Sequence, residues 1–216
     1  EGEDVIATLQ SQISRPKDDR PLAEKLKSQN HNSNVKTDVE TVIVTGDRDV
    51  LQLVDEKTKV YSPLKGLSNP VIYDAKEVFE RYGLRPDQIV DYKALRGDPS
   101  DNIPGVPGVG EKTAVDLLQK YDTLEGVFDH LNELTSRQRK LLSGQKEQAE
   151  LSQMLATITS DAPVELDLEK CLVGDFRSEK ALEALKKLQF RSLVKELEDN
   201  REEQREKEAH PQMKLI

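Results

Sequence analysis

Residues 97–114, GDPSDNIPGVPGVGEKTA, restrict this chain more than any other stretch. Gly97, Pro99, Pro104, Gly105, Pro107, Gly108 and Gly110 interrupt it so often that neither a helix nor a strand can run through. Beyond it, Ala114, Leu117, Leu118 and Tyr121 recur at helical spacing, and Leu124, Val127, Phe128 and Leu131 repeat the pattern. Before it, Pro86 stands in the first turn of a helix that Gly97 ends. The stretch therefore reads as a hairpin between two helices, with Asp98 and Asp101 at its entrance.

Upstream the pattern changes. TVIVT, residues 41–45, is a β-branched run without polar alternation, as expected of a parallel strand buried on both faces. KVYSPL and PVIYD read as two more strands, paired around Lys65 and Gly66. Asp74 caps the next helix, and Glu77 completes a capping-box pattern. At the start, EDVIATLQSQI places Val5, Ile6, Leu9 and Ile13 on one helical face. Glu1 already lies inside that pattern, an opening that reads as a fragment of a longer protein. Residues 14–38 are polar and read as a long loop with a short helix around Leu22 to Leu26. SEKALEALKKLQF forms a late amphipathic helix from Ser178. The expected organisation is α/β up to about residue 80 and all-helical afterwards.

The formal net charge of −9 argues, by itself, against a nucleic-acid partner. The acids are unevenly placed, however. Residues 196–208 hold seven acids against three basic residues and read as a solvated helical tail. No apolar run approaches the ~20 residues that span a bilayer. A single cysteine, Cys171, is expected to serve packing in a reducing, cytoplasmic compartment. His31, His130 and His210 read as surface residues.

Three acidic groups could carry chemistry. Asp47 and Asp49 follow the buried strand, where open α/β sheets bind ligands, and an extended i, i+2 pair points one way. A turn at Gly46–Asp47 with Asp49 capping the next helix accounts for them equally. Asp98 and Asp101 can share one side of a turn, or Asp98 can close an Asx-turn after Gly97. Glu1, Glu3 and Asp4 stand at a helix N-terminus, where the dipole favours acids anyway. Their joint presence is what a two-cation site requires.

Gly105, Gly110, Lys112 and Thr113 come close to a phosphate-binding loop, but Glu111 intrudes before the lysine and no strand precedes them. The alternatives are a hairpin whose amides face a nucleic-acid backbone, with Lys112, Thr113 and Lys120 adding contacts, or a plain helix connection.

VTGDRDVLQLV, YGLRPDQIVDYKALRGDPSDNIPGVPGVGEKTA and SLVKEL together resemble the 5′-nuclease family, which includes the 5′-3′ exonuclease domain of bacterial DNA polymerase I and the flap endonucleases. The resemblance covers residues 1–13 and about 40–197. It implies an α/β, PIN-like fold: a mostly parallel sheet flanked by helices, then an all-helical helix-hairpin-helix subdomain. The implied division is 1–80 for the metal-binding part, 81–197 for the DNA-binding part, and 198–216 for a tail or linker toward a fused polymerase domain. It implies Asp47, Asp49, Asp98 and Asp101 as catalytic metal ligands, and Glu1, Glu3 and Asp4 as holders of the other metal. It also implies a duplex-gripping hairpin at Gly105, Val106, Gly108, Val109 and Gly110, with K⁺ on its carbonyls. The activity implied is hydrolysis, with two Mg²⁺ or Mn²⁺ ions, of DNA carrying a 5′ flap, nick or 5′ end, in the bacterial nucleoid. Glu3 departs from the family's aspartate, and the family's N-terminal portion has no counterpart here. A non-catalytic duplex-binding module and a nucleotide hydrolase are the competing readings. Convergence of the four aspartates on one point separates them.

Overall fold

The computed structural model describes residues 2–14, 39–63, 70–167, 171 and 178–199. The loop after residue 14, the turn at Lys65–Gly66, Glu1, His31, His210 and the tail beyond residue 199 lie outside them. The chain divides into two compact units, Glu1–Leu166 and Asp167–Ile216.

In the first unit, α1 (Gly2–Ser14) precedes a three-stranded sheet of β1 (Thr41–Val44), β2 (Thr58–Ser62) and β3 (Val71–Tyr73). β1 and β2 pair in parallel and β3 is antiparallel to β2. The registers put Ile43 beside Val60 and Val60 beside Tyr73, so one apolar row crosses the sheet. That row joins Val50, Leu51, Val54, Val78 and Ile89 in a buried cluster. The opposite face differs from expectation. Val42 and Val44 are 55% and 67% exposed, because strand alternation turns them away from the cluster that buries Ile43.

Asp74 accepts a hydrogen bond from the Glu77 amide (2.9 Å) and starts α2 (Ala75–Tyr82), as the sequence reading expects. A short 3-10 turn at Pro86–Gln88 then leads into α3 (Ile89–Arg96). This helix is buried nearly all round. Ile89 belongs to the sheet cluster, while Tyr92, Ala94 and Leu95 belong to a second, larger one. The second cluster gathers Val106 and Val109 with Ala114, Leu117 and Leu118 of α4 (Glu111–Tyr121), and Leu124, Val127 and Phe128 of α5 (Leu124–Asp129). α6 (Ser136–Leu142) and α7 (Lys146–Ala156) close it with Leu142 and Ala149. Each such side chain contributes about 1.5–3 kcal/mol of transfer free energy before ordering costs.

α1 also departs from its predicted face. Val5 is exposed, and the buried residues are Ala7 and Thr8. The cause is polar. Asp4 accepts from the Thr159 amide, Thr8 from Ala162 and Gln12 from Leu166, a stripe at four-residue spacing that clasps the extended 159–166 segment.

In the second unit, Ser178 accepts from the Ala181 amide (3.3 Å) and caps α8 (Glu179–Lys187); residues 191–199 form a further helix. Cys171, expected to pack, is exposed. Among the described residues no helix is long and apolar enough to cross a membrane.

Candidate functional site

The chain leaves β1 through Thr45 and Gly46. The Asp47 amide donates to the Thr45 hydroxyl (3.0 Å), and the Asp47 carboxylate accepts from the Asp49 amide (2.9 Å). Asp47 thus starts the 3-10 turn Asp49–Leu53, which Val50 and Leu51 anchor in the core. The extended geometry that would aim Asp47 and Asp49 together is replaced by a turn.

Across from it, Gly97 ends α3 with φ 78°, and the chain folds into a tight loop. Asp98 and Ile103 exchange two backbone hydrogen bonds of 2.9 Å. One carboxylate oxygen of Asp98 accepts from the Ser100 amide (3.1 Å) and hydroxyl (2.5 Å), an Asx-turn. The other faces the Lys93 ammonium at 2.9 Å. Asp101 lies 3.5 Å from the same ammonium, and Asp49 pairs with it too. Asp49, Asp98 and Asp101 therefore surround one point, with a carboxylate oxygen from each within 4.8 Å of the others.

Lys93 is the residue that the sequence reading missed. Its side chain is 8% exposed. The available signal was IVDYKAL, where Asp91 and Lys93 interrupt an apolar run, since a charge inside such a helix needs a partner. Asp91 finds the Leu124 amide (2.8 Å) and the Gln153 side chain (2.5 Å); Lys93 finds the three acids.

The electrostatics follow from burial and pairing. Desolvation raises the carboxyl of Asp49 above its ordinary value, only partly offset by its hydrogen bond with Lys93. Burial pushes Asp98 the same way, but the bonds from Ser100 and Lys93 outweigh it and hold this carboxyl at about 2. Burial lowers the Lys93 ammonium less than Asp49 and Asp98 raise it, so it stays protonated.

The donor set suits a hard divalent cation, since it consists of carboxylate oxygens alone. Asp49, Asp98 and Asp101 would hold it, and the enclosed ammonium marks where the acids require positive charge. Asp47 stays in its own turn. Asp4 serves the α1 clasp, Glu3 sits beside it on α1, and Glu1 is outside the described residues. None of these joins the convergent group among the described residues.

The hairpin follows directly. Gly105 has φ 64°, and a Cβ there would lie 2.3 Å from the Gly97 nitrogen. Its amide donates to the Ser152 hydroxyl, that of Val106 to Leu95, and that of Val109 to Val106. The side chains of Val106 and Val109 are buried, so of these two residues only the backbone is left to meet a ligand. Gly108 (φ 83°) and Gly110, the N-cap of α4, carry amides with no internal partner among the described residues. Lys112 and Thr113 stand on the first turn of α4. Lys120 lies in the last turn, with its ammonium 4.6 Å from the Tyr121 ring centre.

Residues 84–179 match the family described as 5′-3′ exonuclease, C-terminal SAM fold. Over 169 residues the chain is 41% identical to DNA polymerase I of Bacillus subtilis (strain 168), covering 77% of this chain and 19% of that protein. Against the thermostable DNA polymerase I of Thermus thermophilus the identity is 40% over 161 residues, with 74% and 18% covered. The chain thus spans about a fifth of the length of the curated relatives it matches. Among solved structures, phage T5 5′-exonuclease with bound zinc superposes with a TM-score of 0.52 at 19% identity, covering 72% of this chain and 49% of that one. The T5 D15 flap endonuclease in complex with DNA and metal ions gives 0.51 at 18% identity, with the same coverage. The fold is therefore that of the 5′-nucleases. Residues 84–179 thus carry the C-terminal domain of the 5′-3′ exonuclease family, and the relatives that the chain matches at this level of identity are bacterial DNA polymerases I.

Proposed function

We propose that this chain forms part of a 5′-3′ exonuclease and structure-specific 5′-flap endonuclease that hydrolyses DNA phosphodiesters in replication and repair. The observation that carries the reading is the meeting of Asp49, Asp98 and Asp101 around the Lys93 ammonium, from two turns far apart in the chain. Mg²⁺ or Mn²⁺, when bound, lowers the pKa of an attacking water and offsets charge on the scissile phosphate.

This chain's own residues do the positioning. Asp98 divides its two oxygens between the turn and the site, so Ser100 fixes its direction. Asp47 fixes the start of the turn that carries Asp49. Lys93 balances the acids while the site is being assembled and turns toward the substrate's phosphate when their charge is met by a cation. The hairpin at Gly105–Gly110 grips the duplex backbone through the amides of Gly108 and Gly110 and the first turn of α4, with Lys112, Thr113 and Lys120 beside it. Mg²⁺ or Mn²⁺ as two ions, K⁺ at the hairpin carbonyls, Glu3, Asp4 and Asp47 as outer metal ligands, the 1–80 and 81–197 division, a fused polymerase domain and a nucleoid location complete the proposal.

A second reading is a duplex-binding module without catalysis. The completeness of the hairpin favours it, since its glycines and buried valines pack without help from the acids. The deciding experiment is Mn²⁺-dependent cutting of a labelled 5′-flap duplex by the chain, with binding scored in the same samples. Cutting that the Asp98→Ala/Asp101→Ala variant loses supports the nuclease. Binding without cutting supports the module. A folded chain that does neither overturns both.

A further inference from the structure

Beside the acidic group lies a second feature, a cleft of about 290 Å³. Its wall brings Arg48, Arg81 and Arg96 together with Lys93, against the acids Asp98 and Glu111. The three arginines come from separate places: the turn after β1, the last turn of α2 and the end of α3. In a chain carrying a net charge of −9, such a concentration of guanidinium groups is unusual.

Two of the arginines are held in place. Arg81 donates to the Tyr73 hydroxyl (2.7 Å), and its guanidinium carbon lies 5.7 and 5.4 Å from the ring centres of Tyr73 and Tyr82. Arg96 lies 5.6 Å from the ring of Tyr92, which meets Tyr82 edge to face at 6.1 Å. A floor of packed tyrosines thus fixes the guanidinium groups in advance, which lowers the ordering cost of binding. Arg48 forms no ion pair among those described, and its neighbour Asp49 is taken up by Lys93. Planar guanidinium groups match a phosphate's paired oxygens, whereas Tyr73 and Tyr92 are too buried to stack on a base. The cleft is thus built for an anion and reads no sequence.

We infer that this cleft is a subsite for one backbone phosphate of the nucleic-acid strand lying against Asp49, Asp98 and Asp101. The inference rests on the nuclease reading of those acids, because Lys93 and Asp98 are shared walls of both. It assigns Arg48 and Arg96 as direct phosphate ligands, and Arg81 as the ligand anchored from below by Tyr73.

The test is a binding cycle on the full chain without divalent cations, read by fluorescence anisotropy across a salt series. The probe is a 5′-flap duplex with one methylphosphonate, a neutral linkage, stepped through the positions around the junction. The Arg48→Gln/Arg96→Gln variant changes exposed side chains, and a thermal melt checks its fold. Lys59→Gln/Lys76→Gln serves as a charge-matched control outside the cleft. The expected result is a fall in the salt slope of about two for the arginine variant, roughly one for each guanidinium removed from the strand. At one linkage position, the methylphosphonate should weaken wild type several-fold and leave the arginine variant almost unchanged. Additive losses at every position, or an equal loss in the lysine control, would overturn the subsite while leaving the nuclease reading intact. A wild-type chain that binds Mn²⁺ but no DNA would overturn the subsite too. Absence of both Mn²⁺ and DNA binding would remove the nuclease reading itself.

Discussion

The acidic group and the hairpin are neighbours in sequence, yet they are held by different forces. The hairpin is fixed by backbone: Gly105 presses on Gly97, Val106 and Val109 are buried, and three amides are spoken for. The acidic group is fixed by charge, with three carboxylates gathered on a single ammonium. Geometry that rests on packing fails together with the fold. Geometry that rests on charge can be retuned by one substitution, or by one bound cation, while the fold survives.

The largest expected effect tests the packed half. Gly105→Ala sets a Cβ 2.3 Å from a backbone nitrogen at a left-handed φ, so stability should fall by about 3 kcal/mol or more. An unchanged urea midpoint would mean that the hairpin is not fixed by that approach. Next comes the charged half. Lys93→Met leaves three acids facing one another, with an expected loss of about 1–3 kcal/mol in metal-free buffer, below the fully buried case because the acids are partly exposed. The same change should tighten Mn²⁺ binding and let saturating Mn²⁺ restore the melting temperature. Weaker Mn²⁺ binding would show that Lys93 supports the cation instead of standing in for it.

A smaller effect concerns acid pH. Asp98 has a folded pKa of about 2 against an ordinary 3.8, so its contribution to stability is complete above about 3.8 and disappears as pH falls through 2. Asp49 is raised, so its contribution has the opposite sign: complete below its unfolded pKa and lost as pH rises through the folded one. Asp98→Asn should therefore flatten the rise in urea midpoint between pH 2 and 4, and Asp49→Asn should steepen it. The smallest effect is that of Lys120→Ala. This exposed lysine should leave stability alone and lower the salt slope of duplex binding by about one. An unchanged slope would place the duplex elsewhere.

The same contrast explains what the sequence disclosed. The helix–hairpin–helix was legible because glycine and proline act locally, and the Asp74 and Ser178 caps because a cap is read within four residues. The Asx-turn at Asp98 was equally local. The meeting of Asp49 with Asp98 was not legible, because nothing in spacing links a turn after β1 to the end of α3. Asp47 was grouped with Asp49 on the geometry of an extended chain, and a 3-10 turn stands there instead. Lys93 stayed hidden because a lysine in a helix ordinarily reads as surface. Val42 and Val44 misled for a different reason. A β-branched run signals a strand but cannot report which of its faces will be covered.

α3 carries a further consequence. Its eight residues lend Ile89 to the sheet cluster, Tyr92, Ala94 and Leu95 to the helical one, and Lys93 to the acids between. A rivet of this kind makes the two cores a single cooperative unit, so the central amides of α3 should exchange with solvent only when the whole unit opens. The turns that carry the three acids would then form together with the fold, leaving only the aim of their carboxylates to charge.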